Sequence, residues 1–595
     1  MKILNIYDYI PDSKKDKNYN LIWCSRVKRG NNFFSIYDII DKNEIYCKIE
    51  LNNFLKSFFS RNQKFFFPFF NIKKDFSFLN LSNFIEKNSY KKNFNLDFVK
   101  KIALNFFLES NKFDKINICT NNEQFREKIC LILNKKNKSQ DRTSVTKNHL
   151  KLSKLYIQNL IRLVIFFIRN LSFKKETYCA MDKNPIFISF FSYTDKKKAI
   201  KGIYSSDYWN GFKTSNKNWL HLHDPSFNYP NSKTVRHLVR NLNFNKKKRN
   251  HFFINNYLNL KIFFKTAFVF SKFFFYASKL ILSREFLKII KSQFQLTNKD
   301  SYFFFEEFIS FNSVRNILFF FQFENFFVKH KIKSDIYFSF ENQPWEKALL
   351  YFFYKRKNIK KSYGVIHSSV RFWDFRFVNF INDKRKIKGY FNPDKILCNS
   401  SFSKKILENN GFKKTQLMEV ESIRYANLKK IEKKKSRKIH KKLNILFLTD
   451  YDDHVNNYFI KFIGALKFKK NYSLFLKYHP LKPLSLHQKN LKIIDNMKNI
   501  NKNIDLVIVG NKTTASIDAY YKNLDFFIFL EPDDLDYSPL YKFINYSTFT
   551  CIKDLEQMLD NYYLKFKNRV RINNKKKIYF TVDKNLPRWN KLIKI

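Results

Sequence analysis

Glycine is the first scarcity: the chain has 8 in 595 residues, where ordinary usage of about 7% predicts roughly 42. Proline, at 12, falls short of a roughly 30-residue expectation. Both shortages sit beside an excess of Phe, Lys, Asn, Ile and Tyr, the pattern an AT-rich genome imposes through codon choice. Acidic residues are also few, 50 Asp+Glu against 112 Lys+Arg, giving a formal charge of +62. Because codon bias inflates lysine, that charge is a discounted argument for nucleic-acid binding. The seven cysteines are odd in number, scattered and never spaced C-x-x-C. This excludes a zinc site or disulfide framework and points to reduced thiols in the cytoplasm. Uncharged apolar runs reach only about 10 residues, too short for a membrane span. The opening MKILNIYDYIP carries Asp8 and Pro11 where a signal peptide needs apolar residues.

What is present is apolar substance. Hydrophobic residues make up 44% and aromatics 19%, with 73 Phe and 33 Tyr, which excludes a disordered chain. The length suits about three or four domains. The positive charge is regional: residues 441–540 hold 14 Lys/Arg and 11 Asp/Glu, whereas residues 151–300 hold 28 and 7. Within the second stretch, Lys265, Lys272 and Lys279 recur every seven residues with Lys261 one turn earlier. They define one stripe of a Phe-rich helix over 261–282, suited to an anionic membrane surface. Residues 155–173, with Arg162 and Arg169 seven apart, form a second such segment. The competing reading of both is a core-facing helix with snorkelling basic side chains. Lys/Asn-rich tracts at 134–150, 243–250 and 429–442 read as linkers or exposed loops.

From about residue 184, strand and helix patterns alternate. Strands are expected at 184–191, 334–340, 362–367, 395–400, 443–450, 473–480, 504–510 and 524–531, with helices between them. Alternation of this kind implies parallel sheets covered by helices on both faces. The break at 429–442 divides them into two doubly wound domains facing across a cleft, with ligands at the carboxyl ends of the strands. Four of the eight glycines (Gly364, Gly411, Gly464, Gly510) lie in this half, where backbone geometry requires them. The expected organisation is an accessory α/β region at 1–150, an acceptor-side domain at 151–428, a basic linker at 429–442, a nucleotide-binding domain at 443–560, and a tail at 561–595 packing back on the first domain.

Several constellations fall at strand ends. Gly510-Asn511-Lys512-Thr513-Thr514-Ala515-Ser516 joins a strand to a helix; its hydroxyls and free N–H groups suit a phosphate, although Thr can equally serve as a plain N-cap. Lys477-Tyr478-His479-Pro480 ends another strand of the same domain and offers two further phosphate contacts. In the first domain, Glu341-Asn342-Gln343-Pro344-Trp345-Glu346 and Gly364-Val365-Ile366-His367 follow successive strands, so Glu341 and His367 should be neighbours. A carboxylate beside an imidazole suits general-base work on a sugar hydroxyl; Glu346 reads as either a partner in that work or a helix residue. Arg371, Trp373 and Arg376 follow directly and either close over an acceptor or pair internally with Asp374. Arg424 reaches a phosphate in the cleft or pairs with Glu421, and Glu531 accepts from a ribose or is a loop acid. Asp450-Tyr451-Asp452-Asp453 has D-x-D spacing, but no metal is expected there.

The set ENQPWE, GVIHSSVRFWDFR, PDKILCNSSFSKKIL, ESIRY, TDYDD, KYHP and GNKTTAS resembles bacterial surface-carbohydrate (O-antigen and capsule) biosynthesis proteins, which are similar to glycosyltransferases of the GT-B fold. The resemblance covers about 184–545. It implies that His479, Thr513, Thr514 and Ser516 contact a CMP-sugar donor and that Glu341 is the acid/base residue. Where His-Pro sialyltransferases carry an acidic-acidic-Gly motif, this chain has Glu341-Asn342-Gln343. The expectation is a metal-independent transferase with no cofactor beyond its nucleotide-sugar co-substrate. It would be cytoplasmic, peripheral at the inner membrane face, and would act on a glycan or lipid-linked acceptor. The rivals are a CDP-alcohol phosphotransferase similar to teichoic-acid polymerases, a non-catalytic assembly protein and a nucleic-acid binder.

Overall fold

Short runs that are apolar on both faces become the strands of three parallel sheets, as burial on both sides demands. The structure, a computed structural model, describes residues 2–593 apart from 12–17, 27–31, 62–70, 83–93, 134–141, 171–182, 210–216, 225–230, 245–249, 284, 287, 289–304, 307, 331, 356–359, 380–389, 427, 429–441, 467–468, 470, 480–490, 495–503 and 568–576. Most of the 429–442 tract and Pro480 therefore lie outside the described residues.

The first sheet has order β3-β2-β1-β6, from β1 (Ile3–Tyr7), β2 (Tyr19–Ile22), β3 (Phe33–Ser35) and β6 (Lys115–Cys119). A small antiparallel pair, β4 (Asn71–Lys73) and β5 (Phe76–Ser77), follows it in space. The second sheet runs β13-β12-β11-β10-β7-β8-β9. Its strands are β7 (Ile186–Phe190), β8 (Asn218–Leu222), β9 (His251–Phe253), β10 (Ile336–Ser339), β11 (Ser362–Val365), β12 (Lys395–Cys398) and β13 (Leu417–Glu419). The third runs β16-β15-β14-β17-β18-β19, from β14 (Leu443–Leu448), β15 (Tyr472–Lys477), β16 (Lys492–Ile493), β17 (Leu506–Gly510), β18 (Asp525–Phe529) and β19 (Ser547–Phe549). All pairings in these three sheets are parallel. The fold is α/β, with two Rossmann-like parallel-sheet domains and an additional N-terminal α/β unit.

Helices start where a side chain satisfies their free N–H groups. Ser400 caps Ser401–Asn409 by accepting from Ser403 N–H at 2.9 Å, and Asn259 caps Leu260–Leu282 by accepting from Ile262 N–H at 2.9 Å. Part of the 134–150 tract is not a loop, because helix Arg142–Asn170 begins within it. The N-terminal unit braces both large domains. Arg26 donates from its backbone to Pro532 O at 2.7 Å, Glu44 meets Tyr541 and Lys542, and the Lys48 ammonium lies 4.3 Å from the Phe372 ring centre. At the other end of the chain, helix Pro587–Ile593 returns to the second sheet. The fully buried Trp589 donates its indole N–H to Glu421 O at 2.8 Å, and Arg588 pairs with Glu419 at 2.7 Å.

Candidate active site between two sheet rims

The carboxyl ends of the second and third sheets face one another. Arg371, in the loop after β11, donates to Lys512 O in the turn after β17 at 2.6 Å.

On the first rim, β10 and β11 are register neighbours, Ser339 opposite Val365. Asn342 then takes a left-handed conformation (φ 56°) and donates to Arg376 O at 2.6 Å, which turns the chain and sets Glu341 toward the neighbouring loop. Glu341 Oε1 lies 3.3 Å from His367 Nε2, while its Oε2 accepts from Arg376 at 3.0 Å and Gln343 at 2.9 Å. Burial alone would raise this carboxyl's pKa, but Arg376, His367 and Arg424 outweigh it and hold the value at about 2. Glu341 is thus a fixed anion and a weak base. The His367 imidazole lies beside this ionised carboxylate. The resemblance made Glu341 the acid/base residue; its environment favours His367.

Two tyrosines absent from the sequence reading complete this rim. The Tyr208 ring lies 4.0 Å from the His367 ring and stacks on Tyr193 at 3.7 Å, with the Arg424 guanidinium 5.3 Å from Tyr208. Arg424 does not serve Glu421, which instead meets the backbone N–H groups of Arg588 and Trp589. Arg424 stands in the cleft.

On the second rim, β14 lies between β15 and β17, so the turns bearing His479 and Thr513 flank the loop after β14. Thr449 in that loop accepts from His479 N–H at 2.6 Å, and the Tyr451 ring meets the imidazole edge-on at 5.8 Å. Burial and the nearby Lys477 lower the His479 pKa. Thr513 accepts from Ala515 N–H at 3.2 Å, and Ser516 Oγ is 3.5 Å from Thr513 O; Thr514 caps nothing with its side chain. Asp518, one turn further, is raised to about 6 by burial, opposed by Lys522, Arg424 and Lys477. The sequence reading missed this titratable group among three cations. Gly510 serves close approach: a Cβ there would sit 2.8 Å from Asp450 Oδ2 and 3.0 Å from Val455.

Several expected site residues prove structural. Glu346 is fully buried and accepts Glu341 N–H at 2.8 Å; burial pushes its pKa up to about 8, so it braces the turn as a neutral acid. Trp345 is 3% exposed and donates to Gln343 at 2.7 Å, while Trp373 is wholly buried, so neither offers a face to an acceptor. Arg376 is held by both oxygens of Asp374, at 2.9 and 2.7 Å. With Arg371 spent on Lys512 O, the Arg371–Arg376 loop is a strut between domains and not a flap. Glu531 is wholly buried between Lys512 at 2.5 Å and His454 at 2.7 Å, so it is not a surface loop acid.

His454, Glu531 and Asp533 bring ligand-type atoms within 4.8 Å of one another. Of these three, Glu531 also pairs with the Lys512 ammonium at 2.5 Å, which meets Asp534 at 2.9 Å and Asp452 at 3.2 Å as well.

No family model matches the sequence, and no curated protein does. Among solved structures, the chain is similar to a UDP-GlcNAc 2-epimerase from Neisseria meningitidis bound to UDP-GlcNAc, at 9% identity and TM-score 0.35 over 69% of this chain and 99% of that one. It is similar to the UDP-N-acetylglucosamine 2-epimerase from Rickettsia bellii at 11% identity and TM-score 0.33, over 69% and 93%. A wall teichoic acid polymerase matches at 11% identity and TM-score 0.28, over 76% and 98%. At such scores none of these likenesses carries a functional argument.

Proposed function

We propose that the chain is a transferase that moves a sugar from a nucleotide-sugar, CMP-linked by the motif resemblance, to a glycan or lipid-linked acceptor. The observation that carries this reading is the imidazole–carboxylate pair of His367 and Glu341, 3.3 Å apart, on the rim facing the His479 and Thr513–Ser516 turns. In the proposed reaction His367 takes the proton of the acceptor hydroxyl as it attacks, and the ionised Glu341 stabilises the imidazolium that forms. The departing nucleotide gathers negative charge on its phosphate. In this reading Lys477, Arg424, His479 and the hydroxyls of Thr513, Thr514 and Ser516 meet it, and their interactions strengthen as charge develops. Closure of the two rims aligns the reactants and excludes water.

Calorimetric titration of CMP into the wild type, His479→Ala and Thr514→Ala tests the donor half. Binding should be lost in both variants while thermal melting is unchanged; undiminished binding in both overturns the assignment. The imidazoles of His367 and His479 on facing rims would equally serve transfer of an alcohol phosphate from a CDP-alcohol. Mass spectrometry of the product separates the two, since only the second adds phosphorus to the acceptor.

A further inference from the structure

Helices Arg142–Asn170 and Leu260–Leu282 pack against each other in opposite directions. Tyr156 stacks on Phe274 at 4.2 Å, whereas Phe167, further along the first helix, meets Phe263, further back along the second, at 4.7 Å. A hydrogen bond between Tyr156 Oη and Ser271 Oγ at 2.7 Å fixes this register. Beside its contact row, the first helix exposes Ile157, Ile161 and Ile168, the last at 69%. Beside its own contact row, the second exposes Phe264, Phe268 and Phe275, with Phe268 at 72%. At 100° per residue, each exposed row lies about a quarter turn from its contact row, in the same rotational sense. In two antiparallel helices this places both rows on one side of the pair.

The charge on that side has one sign. The two helices together contain ten Lys/Arg and no Asp or Glu. Lys154, Arg162, Arg169, Lys261 and Lys279 are exposed around the apolar rows. The lysine stripe expected from the seven-residue spacing is divided in the structure: Lys265 pairs with Glu324 at 3.2 Å and Lys272 reaches Asn71 O at 3.4 Å. The outward face is therefore aromatic and aliphatic with a basic rim. Among the described residues no helix is long and apolar enough to cross a membrane.

We infer that this two-helix face lies flat in the interface of an anionic lipid bilayer, its isoleucines and phenylalanines among the acyl chains and its basic rim on the headgroups. It deepens the partner side of the proposed function by naming the face that touches lipid, yet it needs no nucleotide and stands or falls separately from the donor site. The test is co-sedimentation of the full chain with phosphatidylcholine vesicles, with and without about one third phosphatidylglycerol. The wild type should pellet with the anionic vesicles and be released by high salt. The double variant Ile161→Asp/Phe268→Asp, at two exposed positions, should partition at least about tenfold less with unchanged melting. Wild type left in the supernatant, or a variant that pellets equally, overturns the inference. So does a wild-type dimer in sedimentation equilibrium that the double variant renders monomeric while neither protein responds to lipid, since the face would then join two copies of the chain.

Discussion

Replacing Glu341 with Gln keeps the side chain's shape and removes one charge, so its consequences separate two roles. The carboxyl's pKa falls from an ordinary 4.5 to about 2 in the fold. At about 1.4 kcal/mol per pKa unit, that depression corresponds to about 3 kcal/mol of stability at pH 7. The side chain is 21% exposed, so screening removes only part of it. The sign follows from the depressed value: the contribution is full above about pH 4.5 and fades as pH falls through about 2. Urea unfolding of wild type and Glu341→Gln should therefore differ by up to about 3 kcal/mol at pH 7 and converge near pH 2. In turnover, a neutral amide cannot stabilise the His367 imidazolium, and kcat should fall on the order of 10²–10⁴-fold with nucleotide affinity unchanged. Curves that stay parallel at every pH, or a kcat within threefold of wild type, would refute the role given to this pair.

Other substitutions test the surrounding framework. Lys512→Met leaves Glu531 and Asp534 buried without their cation, and equilibrium unfolding should show a loss of about 3–5 kcal/mol; a loss under 1 kcal/mol would mean the carboxylates find water or protons cheaply. Glu346→Gln should act with the opposite pH sense to Glu341→Gln. Because burial raises the Glu346 pKa to about 8, the wild type loses up to about 4 kcal/mol between pH 5 and 8. The amide variant, measured by unfolding across that range, should lack this slope.

The two large sheets were legible because their central strands are runs such as Leu506–Gly510, buried at every position, with helix patterns between them. Three-residue strands such as His251–Phe253, Leu417–Glu419 and Ser547–Phe549 are too short to show a period, least of all against a Phe-rich background. Placing Glu341 beside His367 needed only the adjacency of successive strand ends. The direction of a side chain is another matter. Trp345, Trp373 and Arg371 look available in the sequence yet are buried, Arg371 against the distant Lys512, whereas Arg376 makes the internal pair with Asp374 that the sequence left open. Tyr208 reaches His367 from a loop about 160 residues upstream, and nothing local marks it. The lysine spacing located the outward helix correctly and misjudged its face, since the partners of Lys265 and Lys272 come from other elements.

The central claim is that the cleft holds the nucleotide of an activated sugar. Thermal-shift measurement of the wild type and His479→Ala against CMP, CDP, UDP and GDP tests it most directly. A nucleotide at 100 times its Kd stabilises the protein that binds it by about 2.7 kcal/mol. One nucleotide should raise the wild-type melting temperature, with CMP favoured, and leave the variant unmoved. If none of the four shifts the wild type, or if both proteins shift equally, the account of the cleft is wrong.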